Sequence, residues 1–180
     1  MNYYEKFQTS RDVKILCGGR SLIGKVNVMN SKEKKLFLQQ IKDLYGVEKL
    51  PTYVYFYIND KERLYVVNED AFKYDFEEIR VNSTGLYIGT FMIDGFRFSI
   101  EGSQIFGKLA TKNIYEIDET RRNDWIKGES INCEVPDFQD KYVLIKCGND
   151  FFASAKVKKN SISNYIPKTR TQKTVFIDED

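Results

Sequence analysis

GLYIGTFMIDGFRFSIEGSQIFGK, residues 85–108, sets two runs of β-branched and aromatic residues, Leu86 to Ile93 and Phe96 to Ile100, on either side of Asp94-Gly95. An Asp-Gly pair in that setting predicts a hairpin closed by a type I′ turn, since glycine accepts the positive φ such a turn needs. Ser99 is placed to cap a short helix. Ile105, Phe106 and Leu109 recur at helical spacing, and Glu101 falls in the first turn, where the helix dipole favours an acid. The stretch reads as a sheet corner carrying one short helix.

Downstream, Asn113 to Asp118 reads as a strand and Trp125 to Ile131, WIKGESI, as a bulky-x-x-Gly-Glu-x-aliphatic segment. Lys141 to Val157 reads as a closing hairpin, and Asn160 to Arg170, NSISNYIPKTR, follows. In this order the segments resemble a PUA domain, the small RNA-binding pseudo-barrel named for pseudouridine synthases and archaeosine transglycosylases, over residues 80 to 173. The ending is most similar to the PUA-like tail of the Sun family of RNA cytosine methyltransferases and to stand-alone archaeal ribosome-biogenesis proteins related to it. An α/β unit ahead of a PUA domain, with Tyr57 to Val67, YINDKERLYVV, is also similar to the Nip-seven ribosome-assembly family. Ser161 to Arg170 fits the methyltransferase tail better.

The resemblance implies RNA lying across the short helix and the neighbouring last strand, Gly102 to Lys108 and Ala153 to Lys159. Candidate RNA-binding residues are thus Gly102, Ser103, Gln104, Lys108, Lys156, Lys158 and Lys159, with Arg97, Lys168 and Arg170 extending the footprint. One departure stands out. Where PUA domains carry an aliphatic-Gly-x-Gly turn, this chain has Phe152-Ala153-Ser154-Ala155. Glycine permits close backbone approach, so alanine is expected to weaken base-specific contact while sparing phosphate binding by lysines.

The expected fold is α+β: an N-terminal α/β subdomain of hairpins and one helix over 1–80, a PUA-type β pseudo-barrel over 81–177, and an acidic tail at 178–180. A length of 180 residues and a hydrophobic fraction of 42% support a core of that size. Net charge is +2, but residues 141–177 hold eight Lys or Arg against Asp150 alone. From Lys156 to Lys173 there is no acid, which suits a polyanion. Together with this charge, the resemblance implies RNA as the partner, ribosomal or transfer.

The first residues look like strands, Val13 to Cys17 and Leu22 to Met29, around a Gly18-Gly19-Arg20 turn. Gly19, Gly24 and Lys25 have P-loop spacing. Val26 stands where a P-loop needs Ser or Thr for magnesium, and a β-branched run follows instead of a helix, so no nucleotide site is expected. Asn30 and Glu33 offer a capping box for a helix ending at Gly46, with Phe37, Ile41, Leu44 and Tyr45 on its buried face. Its Lys32, Lys34 and Lys35 read as solvated surface.

Thr52 to Ile58 and Arg63 to Val67 predict a hairpin around Asn59 to Glu62, with Tyr53, Tyr55 and Tyr57 on one face. Tyrosines covering a half-buried sheet, hydroxyls in water, is preferred there over a platform for stacking bases. Asn68 to Ser83 reads as the join, with Phe72, Phe76 and Ile79 permitting a docked helix.

The chain has no histidine, which removes the commonest general base and zinc ligand. Cys17, Cys133 and Cys147 are odd in number and form no CxxC pair, arguing against a disulfide framework or zinc site. A Sun-type methyltransferase needs a cofactor domain and catalytic cysteines that are not legible here. No catalysis, no cofactor and no metal are expected. No apolar leader or membrane-length apolar run is present, so a cytoplasmic location without membrane contact is expected. The competing expectation is a protein-interaction adaptor that binds pre-ribosomal proteins or recruits an RNA-modifying enzyme.

Overall fold

The computed structural model describes residues 11–13, 26–58, 62–73, 85–132, 138 and 141–171. Six strands form the first sheet in sequence order, every pair antiparallel: β1 Arg11–Val13, β2 Val26–Val28, β3 Val54–Ile58, β4 Arg63–Val67, β5 Leu86–Met92 and β6 Gly95–Phe98. Helix α1, Ser31–Tyr45, connects β2 to β3. Its start is the expected capping box: Asn30 Oδ1 accepts the Glu33 N–H at 3.0 Å while Glu33 Oε2 accepts the Asn30 N–H at 2.8 Å. Gly46 ends it at φ +71.

The apolar face of α1 lies on an aromatic cluster. The Phe37 ring meets those of Phe91 and Phe96 edge-on at 5.7 and 4.9 Å, the geometry that ring quadrupoles favour. The Tyr45 hydroxyl donates to the Phe96 carbonyl at 2.8 Å inside the core. This helix also overturns the expectation for the tyrosine sheet. Tyr55 and Tyr57 belong to the same core cluster as Phe37 and Ile41 and are almost wholly buried, so their faces are closed to bases and their hydroxyls do not reach water as expected. The Tyr55 hydroxyl instead donates to the Pro51 carbonyl at 2.9 Å, and burial raises both phenol pKa values well above the usual range.

The hairpin of residues 85–108 forms with a different turn. Met92 pairs with Gly95, leaving Ile93-Asp94 as the two-residue loop, and neither carries a positive φ. The turn is therefore not type I′. The left-handed requirement moves to Gly95, φ +151, whose missing side chain also admits Leu44.

The second sheet has the order β7-β9-β10-β11-β8, comprising β7 Ile114–Glu116, β8 Ile131–Asn132, β9 Tyr142–Cys147, β10 Asp150–Lys158 and β11 Ser161–Ser163. β7 runs parallel to β9 and the other pairs are antiparallel. Helix α2, Ile100–Phe106, is capped by Ser99 as expected, its hydroxyl accepting the Gly102 N–H at 2.9 Å. Helix α3, Glu119–Lys127, is capped by Asp118 and ended by Gly128 at φ +96. β9, between β7 and β10, opens Tyr142-Val143-Leu144-Ile145, all buried. Tyr142 and Leu144 join the α1 cluster, while Val143 and Ile145 face a second cluster around Trp125, so both faces of the strand are covered.

The sheets are tied together. Phe98 N–H donates to Ser154 Oγ at 2.6 Å, and Asn113 Nδ2 donates to the Leu44 carbonyl at 2.6 Å. The first sheet also runs across residue 80, since β4 pairs with β5.

Several expected features lie outside the described residues. They are the Gly18-Gly19-Arg20 turn, the P-loop-like spacing, the loop tip at 59–61, the segment of Phe76 and Ile79, Cys17, Cys133, Lys173 and the acidic tail. Of the join, Glu69–Lys73 forms a 3-10 turn.

Candidate nucleic-acid interface

α2 is held on β10 by two of its own side chains. Ser103 Oγ accepts the Ala153 N–H at 2.7 Å and donates to the Ile100 carbonyl at 2.8 Å, and Gln104 donates to the Phe151 carbonyl. Gly102 lies so close to β5 that an added Cβ would stand 1.9 Å from the Ile88 carbonyl oxygen. Gly102, Ser103 and Gln104, assigned to RNA contact on resemblance, thus hold α2 in place, and the first two are buried. Lys108 is exposed in the 3-10 turn Gly107–Leu109 that follows.

β10 bulges between Phe151 and Ser154, and there Ala153 takes φ +64. The backbone at the first alanine of Phe152-Ala153-Ser154-Ala155 has the left-handed form that glycine adopts easily. Both alanine methyls are buried, so neither covers the outer surface.

The lysines of β10 differ from one another. Lys156, expected to reach phosphate beside Lys158, forms an ion pair with Asp94 from the hairpin loop, its Nζ 5.3 Å from the Tyr142 ring centroid. Burial alone would raise the Asp94 pKa, but the hydrogen bond and charge of Lys156 outweigh it and hold the carboxyl below its ordinary value. The Tyr142 phenol is pushed up to about 12, mainly by burial and then by the Asp94 charge. Lys158 is exposed at the end of β10. Lys159 falls beyond the strand, in the turn to β11 at φ +46, and Ser161–Ser163 rather than 153–159 is the last strand.

After β11 the chain is fixed by Asn164. Its amide donates to the carbonyls of Trp125 at 2.7 Å and Glu129 at 3.0 Å, and its Oδ1 accepts the Ile166 N–H at 2.8 Å. Trp125 stands in the last turn of α3 and Glu129 just past its Gly128 cap, so the tail is tied to the C-terminal end of that helix and the turn after it. The next residue, Tyr165, keeps 36% of its surface exposed, and the Arg97 guanidinium sits 4.7 Å from its ring centroid. Lys168 is exposed, and Arg170 pairs with Glu101 at the start of α2.

A cleft of about 110 Å³ opens among these elements, lined in part by Tyr87, Arg97, Glu101, Ala153, Tyr165 and Arg170. Of the ten sequence candidates it gathers only Arg97 and Arg170; Lys108, Lys156, Lys158, Lys159 and Lys168 lie outside its lining. Sequence reasoning missed Asp94, Glu101 and Tyr165, although Tyr165 stood within the quoted NSISNYIPKTR segment. The strand β7, hairpin β9–β10 and the following tail come in the order expected from the resemblance, with helix α3 an element the sequence reading did not name, and comparison with protein families bears on that part. Residues 112–172 match the family model of the Methyltransferase RsmF PUA domain. The C-terminal part of the chain holds a PUA domain of this type. The PUA match begins after α2 and covers about a third of the chain, including β10, β11 and the Asn164 tail. No curated protein matches the chain.

Proposed function

We propose that the protein is a non-catalytic RNA-binding protein, cytoplasmic, that uses its PUA domain to hold structured ribosomal or transfer RNA during ribosome biogenesis or RNA modification. The observation that carries this reading is the overlap of two features: the PUA match ends within the acid-free basic segment 156–173. Lys158 and Lys168 are among the exposed cations there, and Lys108 adds another on the turn after α2. Phosphate contact by such side chains releases counterions and makes binding strongly salt-dependent. The lack of histidine in the chain supports a holding role over a catalytic one.

An adaptor docking through the tyrosine face of β3 is disfavoured, because Tyr55 and Tyr57 lie in the core, whereas docking through other parts of the N-terminal half is not affected by that burial. The test is a titration of labelled transfer and ribosomal RNA at increasing salt. A steep, linear fall of log affinity with log salt is expected, and affinity indifferent to salt would overturn the reading. Purified protein supplied with a methyl donor and RNA is expected to transfer no methyl group.

A further inference from the structure

The cleft beside α2 differs from the basic surface in its chemistry. It combines an aromatic ring, a guanidinium against that ring, and a carboxylate, Glu101, paired with Arg170. At about 110 Å³ it is well below the roughly 300 Å³ at which small-molecule pockets begin, so its natural guest is one ring system. A phosphate would meet the Glu101 carboxylate there, whereas the amino edge of a base would donate to it.

The ring is also pre-set. An exposed tyrosine is usually free to turn, but Tyr165 follows Asn164, whose amide ties the chain to the Trp125 and Glu129 carbonyls, and precedes Ile166, whose N–H the Asn164 Oδ1 accepts. Arg97, half-buried on β6, lies over one face of the ring and lines the cleft beside it. A platform ordered before binding loses little entropy when a ligand stacks on it.

We propose that this cleft is a subsite for one unstacked RNA nucleobase bearing an exocyclic amine, stacked on the Tyr165 ring with its amino group donating to Glu101. The proposal rests on the RNA-binding reading and adds base selectivity to it. Adenine, cytosine and guanine qualify, and uracil does not. Arg170 then has a second role: released in part from Glu101 by the incoming amine, it turns to the adjacent phosphate.

The test uses the full chain and labelled homopolymers of adenosine, cytidine and uridine, of equal length, by fluorescence anisotropy. The unmodified protein is expected to bind the adenosine and cytidine polymers more tightly than the uridine polymer. Tyr165→Ala should weaken the first two about tenfold, the loss of one stacked base, while Tyr165→Phe keeps the ring and the affinity. Glu101→Gln should narrow the gap between cytidine and uridine. Lys158→Ala should weaken all three alike and leave their ranking intact.

Equal affinity for the three polymers would overturn the subsite while leaving RNA binding standing, as would a folded Tyr165→Ala protein that binds as the unmodified one does. Failure of all three polymers and of structured RNA to bind at low salt would overturn both readings. Should Tyr165→Ala fail to fold, the ranking by the unmodified protein and its change in Glu101→Gln decide the matter.

Discussion

Ser103 Oγ and the Ala153 amide meet at 2.7 Å, so one buried hydroxyl joins the middle of α2 to the alanine that β10 holds at φ +64. The bond fills the amide freed by the bulge, and with it α2 is set against the strand that leads to the basic surface. The local backbone, not the side-chain methyl, is the unusual feature of this contact.

Ala153→Gly and Ala155→Gly make the same chemical change at two buried sites that differ in backbone conformation. At Ala155 the loss should cost about 1 kcal/mol through added chain entropy. At Ala153 relief of about 1–2 kcal/mol of left-handed strain offsets that cost, leaving the variant neutral or slightly more stable. Urea unfolding midpoints at unchanged slope compare the two; equal losses would show that Ala153 carries no strain.

Gly102→Ala places a methyl against the Ile88 carbonyl, a backbone atom that no rotamer change can move aside. A loss of about 3 kcal/mol is expected, from overpacking and a shift of α2. Thermal unfolding measures it, and a variant as stable as the parent would mean that α2 is not seated on β5 as described.

Lys158→Ala combined with Lys168→Ala should lower the salt slope of RNA binding by about 1.4 if the bound RNA is single-stranded. Lys156→Ala should change the slope less and the folding stability more, because its partner is Asp94. Lys32→Ala with Lys35→Ala, both exposed on α1, removes the same charge elsewhere. An equal drop in slope from the α1 pair would point to diffuse electrostatics and away from a PUA-borne surface.

Asp94 ties stability to acid pH. Its folded pKa lies below the ordinary value of 3.8, so the ion pair with Lys156 contributes fully above that value and its contribution is lost as pH falls through the lower, folded pKa. The stability gap between the parent and Asp94→Asn should hold steady near neutral pH and close below about pH 4. Denaturant unfolding across that range checks it, and a gap that widens in acid would contradict the assignment.

Much of this was legible in the chain itself. The capping box at Asn30 and Glu33, the stop at Gly46, the cap at Ser99 and the strand pairs of both hairpins depend on residues within a few positions of each other. Such contacts are local, and residue type with spacing specifies them. The PUA resemblance drew on the same kind of ordered local signals, and the match over residues 112–172 meets it there.

What residue order left open was decided by contacts across long separations. Alternation placed Tyr53, Tyr55 and Tyr57 on one face, but only the seating of α1 made it an interior face. The run of lysines predicted a basic surface, yet Asp94 and Glu101, 62 and 69 positions from their partners Lys156 and Arg170, engage two of its cations. A carboxylate that distant in sequence comes within hydrogen-bond reach only once both sheets have packed. The same packing brings Arg97 onto Tyr165 and so makes the cleft. Sequence therefore determined the elements and the sign of the surface, while tertiary structure decided which charges are paired and where Arg97 meets Tyr165, because burial and ion pairing depend on which faces meet.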